Sequence, residues 1–297
     1  STSVDTETSI KILSDVEFTL NGIYSTMQSS DAYSGRLVYY GDVTGDDMQA
    51  VSSTKRVANY YRFNFTKDDN PSSHWSYLYS IIQNCNLILM NIDKLVIDED
   101  DKAYRDDLKG EALAIRGLAL FDLTRIFGYP YLKDDGASLG VPIIEGLSTI
   151  DSKPTRNTVA QCYTKIIDDL TQSLSLLGEK FNKGKINKWG AMVLLSRVYL
   201  YKGENANALK MASNAIIGAE KNKYALWTNE DYPTAWGEDA SASKPGEVLF
   251  EIVNLTTDSP GKESMGYLNS YDGYDDMCIT CSFYQFLKED PKDIRLK

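Results

Sequence analysis

Apolar residues recur along much of the chain at the spacing of one helix face. Leu13, Val16, Leu20, Ile23 and Met27 share such a face, and the helix is expected to open on the capping-box pattern Ser14-Asp15-Val16-Glu17 and end near Ser29. HWSYLYSIIQNCNLILMNID predicts a long apolar helix from Ser72 to about Asp93. The stretch GEALAIRGLALFDLTRIFGYPY, Gly110–Tyr131, differs from both, because between Ala112 and Phe121 its only charge is Arg116. A helix that is apolar nearly all round needs neighbours on most sides. Gly128 and Pro130 mark its end. Beyond it, Thr158-Val159-Ala160-Gln161 is a second capping box. It leads a stripe of Val159, Cys162, Tyr163, Ile166, Ile167, Leu170, Leu174 and Leu177, closed by Gly178.

AMVLLSRVYLYKGENANALKMASNAI carries the most specific local rhythm. Met192, Leu195, Ser196 and Tyr199, followed by Ala208 and Ala212, hold the spacing of a tetratricopeptide helix pair. Small residues at Ser196, Ala208 and Ala212 let two antiparallel helices approach closely, and Tyr199 fills the space between. Trp75-x2-Leu78 and Leu113…Gly117…Leu120 echo the pattern without a strict period. Long insertions are therefore expected between degenerate repeats, with an ordinary helical hairpin as the plain alternative.

Between the helices the pattern breaks. GDVTGDD (Gly41–Asp47) reads as an acidic turn-rich loop, and NYYRFNF (Asn59–Phe65) alternates as a strand or extended segment would. Residues 222–247 are loop-like, EVLFEIVN (Glu247–Asn254) is expected to be a strand, and residues 256–276 are rich in Gly, Tyr and Asp. A short helix is expected near Thr280–Lys288.

Composition narrows the chemistry. The chain has 297 residues, a formal net charge of −11 and a pI near 4.7. That balance argues against nucleic acid and against docking on anionic lipid through charge. Tyr contributes 20 residues against 9 Phe and 4 Trp, and its flat apolar face with a polar tip suits binding surfaces. Cys85 and Cys162 lie in apolar helical patterns, whereas Cys278 and Cys281 form a lone CxxC, read as inert or locally paired thiols rather than a zinc site. No apolar run approaches a membrane span. The polar start STSVDTETS lacks a signal-peptide pattern, as a mature or trimmed chain would.

Catalysis is not expected. His74 is the single histidine, at a predicted helix start where a capping or surface role suits it. No G-x-S-x-G elbow, phosphate loop or G-x-G-x-x-G is present, and with 42 acidic residues a carboxylate pair is undiagnostic. No metal or cofactor is expected. Binding remains. Sugars stack their C–H faces on flat rings while carboxylates, amides and arginines take the hydroxyls. Tyr60-Tyr61-Arg62 beside GDVTGDD has that chemistry, and so do Tyr267, Tyr271 and Tyr274 with Asp272, Asp275 and Asp276.

GEALAIRGLALFDLTRIFGYPY resembles the hallmark helix of the SusD/RagB family of surface lipoproteins. The agreement continues in order through GDVTGDD, WSYLYSIIQNCNLILMNID, INKWGAMVLLSRVYLYKGENANAL, GEVLFEI and DPKDIR. The resemblance implies a mainly α fold, a degenerate tetratricopeptide-like scaffold with long loop insertions and a few short strands. It implies one domain over 1–297 that lacks a usual C-terminal segment, with a helical-repeat core at 72–218 and loop-rich ligand-facing insertions at 31–71 and 222–276. In such a scaffold Arg116, Asp122 and Arg125 should be paired, since unpaired buried charge is costly. The implied function is capture of oligo- or polysaccharide for a partner SusC-like TonB-dependent transporter at the outer-membrane surface, where an N-terminal lipid, not part of this chain, would be the anchor. The alternatives are a peptide-binding receptor of the same machinery and a generic tetratricopeptide adaptor. Because the early and the late loops of the family commonly contribute to the ligand face, the candidate ligand residues are Asp46, Asp47, Arg56, Tyr60, Tyr61, Trp236, Tyr271 and Tyr274.

Overall fold

A computed structural model describes residues 10–66, 72–149, 151–235, 246–255 and 257–296. These residues are mainly helical. In chain order the helices are α1 (Leu13–Met27), α2 (Arg36–Val43), α3 (Ala58–Tyr61), α4 (Ser72–Asn91), α5 (Lys102–Phe127), α6 (Val159–Leu176), α7 (Lys188–Lys202), α8 (Asn205–Lys221), α9 (Tyr232–Ala235), α10 (Met265–Asn269) and α11 (Cys281–Lys288). Two short strands, β1 (Met48–Ala50) and β2 (Met277–Ile279), pair antiparallel. Among the described residues no helix is long and apolar enough to cross a membrane. The chain divides into two compact units. The first holds the described residues of Ser1–Ser25, Leu78–Ala225 and Ser243–Glu251, and the second those of Thr26–Tyr77, Leu226–Ala242 and Ile252–Lys297.

The first unit is built by helices that pack on their neighbours in sequence, α5 on α6, α6 on α7 and α7 on α8. α5 is buried on nearly every side from Leu108 to Thr124, which explains its almost unbroken apolar pattern. Its charges are paired as expected. Arg116 makes two parallel bonds to Asp169, Nε to Oδ2 at 2.8 Å and Nη2 to Oδ1 at 2.7 Å, and its Nη1 donates to Asn86 at 2.8 Å. Arg125 pairs with Asp122 one turn earlier and lies over the ring of Phe121. Gly117 lets α6 approach closely, because a Cβ there would meet Leu170 at 3.1 Å. α6 opens on the complete Thr158–Gln161 capping box.

The α7–α8 hairpin keeps the expected rhythm. The Ser196 hydroxyl donates to the carbonyl of Ala208 across the pair at 2.8 Å. Gly203 makes the left-handed turn between them at φ 83°, where a side chain would be strained. Trp189, Met192, Ala215, Ala219 and Tyr224 form the cluster beneath it.

Four local expectations change. Ser14 lies inside α1 and is not its cap. The Asp15 carboxylate instead accepts from the amides of Lys11 and Ile12, because it can reach back over the first turn. NYYRFNF is not a strand. Ala58–Tyr61 is one helical turn, and Phe63 follows in the left-handed region at φ 54°. Tyr60, Phe63 and Phe65 join an aromatic cluster in place of a sheet, and Tyr61 is exposed. EVLFEIVN forms no strand either. It finds no ladder partner among the described residues, and Leu249 and Phe250 pack against Gly190 of α7. His74 is no surface group: it is 1% exposed, and its Nδ1 lies 3.1 Å from the carbonyl of Asp31.

Candidate functional site

The candidate ligand residues that the structure describes belong to the second unit, and the two-stranded sheet joins their loops. The helix α2 runs through Gly41 to Val43, so GDVTGDD is part helix and part turn. The Thr44 hydroxyl donates to the Tyr40 carbonyl and closes the helix, and Asp46 and Asp47 follow with exposed side chains. β1 then aligns Met48 with Ile279, Gln49 with Cys278 and Ala50 with Met277. Thr280 extends the ladder, its amide donating to the Asp47 carbonyl and its hydroxyl to that of Asp46, each at 2.9 Å. At the other end the Val51 amide donates to Asp276. Tyr39, Val43, Val57, Leu268 and Met277 form the apolar cluster under this sheet, with Tyr60 half-buried against it.

Arg56 ties the early segment to the late loop. Its Nε and Nη2 donate to Asp276 Oδ2 at 3.1 and 2.9 Å, and its Nη1 to both oxygens of Glu263 at 3.1 and 3.0 Å. The Asp276 side chain is almost fully buried, so Arg56 neutralises a charge that burial would otherwise make costly. The guanidinium carbon also sits 4.2 Å above the ring of Tyr274. Tyr274 in turn meets Tyr267 edge to face at 5.1 Å, and its carbonyl accepts from Lys55 at 2.6 Å. Gly273 is required by the fold of this loop, since a Cβ there would lie 2.0 Å from the Tyr267 carbonyl oxygen.

A second group of rings surrounds Tyr60. Its centroid lies 5.3 Å from Tyr40 and 5.9 Å from Phe65, and Tyr40 also meets His74 at 5.8 Å. Burial pushes the pKa of His74 down, so the imidazole is neutral at neutral pH. Tyr61 is exposed, and Tyr271 projects with 88% of its surface open. Trp236 lies outside the described residues.

Arg56 and Tyr274 are thus in direct contact, Asp46 and Asp47 are bound through their backbone to the same sheet, and Tyr60 shares the cluster beneath it. Arg56 has its nitrogens occupied and acts as a tie. Of the candidate residues, the ring of Tyr271, the half-open ring of Tyr274, Tyr61 and the carboxylates of Asp46 and Asp47 are exposed. Reading the sequence missed Glu263, Tyr40 and Lys55. Glu263 stands in a short polar turn with no pattern to single it out, whereas Tyr40 could have been found from the helical spacing of Tyr39, Tyr40 and Val43.

Cys278 and Cys281 are exposed free thiols. The backbone from Cys278 to the cap Thr280 is extended, which separates their Cα atoms by roughly 10 Å. That exceeds disulfide reach, so local pairing does not hold. Among the described residues no group of three His, Cys, Asp or Glu side chains could hold a metal ion.

A family of SusD-like proteins, described as starch-binding and associating with the outer membrane, matches residues 2–200. The chain belongs to the SusD-like family. A solved structure of a candidate sugar-binding protein from Bacteroides vulgatus is 82% identical with a TM-score of 0.95, over 97% of this chain and 65% of that one. A SusD superfamily protein from the same species is 38% identical with a TM-score of 0.89, over 96% of this chain and 64% of that one. A SusD-like protein of Formosa agariphila is 23% identical over 234 residues, 76% of this chain and 42% of its own length. The SusD-like chain therefore spans between two fifths and two thirds of these relatives.

Proposed function

We propose that this SusD-like protein is a non-catalytic receptor that captures an oligo- or polysaccharide on the Tyr- and Asp-rich face of its second unit, within the insertions 31–71 and 222–276. It hands the glycan to a SusC-like TonB-dependent transporter, from a lipid-anchored position on the outer-membrane surface. The observation that carries the reading is the joining of the early and late loops by the β1–β2 ladder and by Arg56. This presents Tyr61, Tyr271 and Tyr274 with Asp46 and Asp47 as stacking surface and hydroxyl acceptors. The description of the family as starch-binding supports it.

The test is titration with a panel of soluble polysaccharides and short peptides, followed by intrinsic tryptophan fluorescence. One glycan class should give a saturable response, and the double variant Y271A/Y274A should weaken it by about tenfold or more, since a stacked ring contributes over 1 kcal/mol. Tyr271 is open to solvent, so Y271A alone should keep its melting temperature and still weaken binding, whereas Y274A also removes the ring that packs against Arg56 and Tyr267. Unchanged affinity in the double variant would move the site elsewhere, and a response to peptides alone would replace the sugar with a peptide.

A further inference from the structure

A different surface, in the first unit, has chemistry the glycan face does not use. α5 ends at Gly128, and the chain leaves it through Tyr129 and Pro130. Here an open groove is lined by Ile126, Phe127, Tyr129, Ser138, Leu139 and Arg156. Tyr129 and Leu139 are more than half exposed beside it. Arg156 is held in an unusual way. Its Nε donates to the Gly140 carbonyl at 2.5 Å, and its Nη2 to the carbonyls of Phe127 and Leu139 at 2.7 and 3.2 Å. Among the described residues its Nη1 meets no acceptor and no carboxylate pairs with the guanidinium. On a chain with a net charge of −11, a guanidinium fixed by backbone carbonyls alone keeps its charge free for an external acid. Lys133 adds a second cation, its Nζ 3.1 Å from the centre of the Tyr129 ring. The nearby carboxylate of Asp134 is engaged by the hydroxyl and amide of Ser138.

We propose that this groove docks a peptide segment of a partner protein, an Asp or Glu flanked by apolar residues, with its carboxylate on Arg156 Nη1 and an apolar neighbour between Tyr129 and Leu139. Charge complementarity selects the acid. The aliphatic walls Ile126 and Leu139 suit an apolar side chain better than a row of hydroxyls, and the Ser138 hydroxyl is already committed to Asp134. The site does not depend on the glycan reading, since none of its residues belongs to the glycan face.

The experiment probes an array of short peptides, varied in charge and in apolar flanks, with the labelled protein, and includes oligogalacturonate as an acidic sugar. Peptides with Asp or Glu beside apolar residues should be enriched, and their Asn or Gln counterparts should bind about tenfold more weakly. R156Q should remove that preference. Because Arg156 also braces three carbonyls, Y129S and L139S serve as variants at exposed positions that leave the fold intact, and each should weaken the same peptides. No acidic enrichment, enrichment unchanged in all three variants, or retention of oligogalacturonate in place of peptides would overturn the proposal.

Discussion

Arg116 and Asp169 face each other in an interior where neither charge can reach bulk water. Removing Asp169 leaves the Arg116 guanidinium buried with the neutral Asn86 carbonyl as its partner, and takes from Lys165 one of its two carboxylates. Asp169→Ala should therefore cost about 3–5 kcal/mol in urea unfolding, whereas replacing both by apolar residues of similar volume should cost far less. Glu111 is a different case. Burial raises its carboxyl to about 7, although the Tyr24 hydroxyl donates to its Oε2 at 2.6 Å and pulls the other way. The folded chain thus holds this proton more tightly than the unfolded one. The resulting stability is complete below the unfolded pKa near 4.5 and is lost as pH rises through about 7. The swing is at most about 3 kcal/mol, and Glu111→Gln should remove it when urea midpoints are compared between acid and mildly alkaline pH. His74 has the opposite slope. Its lowered pKa gives stability that is present above the unfolded value of 6.5 and falls away on acidification. His74→Gln should abolish that acid sensitivity. The pairing of Arg116 was legible because a lone charge in an apolar helix demands a partner. The burial of His74 was not, because nothing in its neighbours signals that the Asp31 carbonyl folds over it.

Among the elements, the α7–α8 hairpin shows how closely a spacing can specify packing. Gly218 faces the Trp189 ring, and a Cβ there would fall 2.0 Å from its nearest carbon. A buried indole in a packed cluster cannot move aside easily, so Gly218→Ala should destabilise by about 1–3 kcal/mol, visible as a lower melting temperature with unchanged helix content by circular dichroism. Helices α4 to α8 were readable because helical periodicity and end signals such as Thr158 and Gly128 are local. NYYRFNF and EVLFEIVN were misread because a run of apolar residues does not say what it packs on. In the first case Tyr60 and Phe65 meet Tyr40 while Tyr61 and Phe63 stay exposed, and in the second Leu249 and Phe250 pack against α7. A strand needs a partner as well as a pattern, and β1 and β2, of three residues each, carry too little pattern to be seen.

At the scale of the whole molecule, acidity and site chemistry make one further expectation. A sugar held by rings and carboxylates releases no counterions. Affinity for a neutral glycan should therefore stay constant over a wide range of sodium chloride concentration in calorimetric titrations, while acidic-peptide binding at Arg156 should weaken with salt. The order of motifs along the chain, the buried α5 and the repeat-like hairpin were determined by the sequence alone, because each rests on residues within a few turns of one another. The candidate site was decided by tertiary structure. Arg56 meets Glu263 and Asp276 across more than two hundred residues, and the β1–β2 register that brings them together is fixed by an apolar cluster drawn from both ends of that interval. No local signal encodes such a meeting, since its stability comes from burial shared among residues that the sequence keeps far apart.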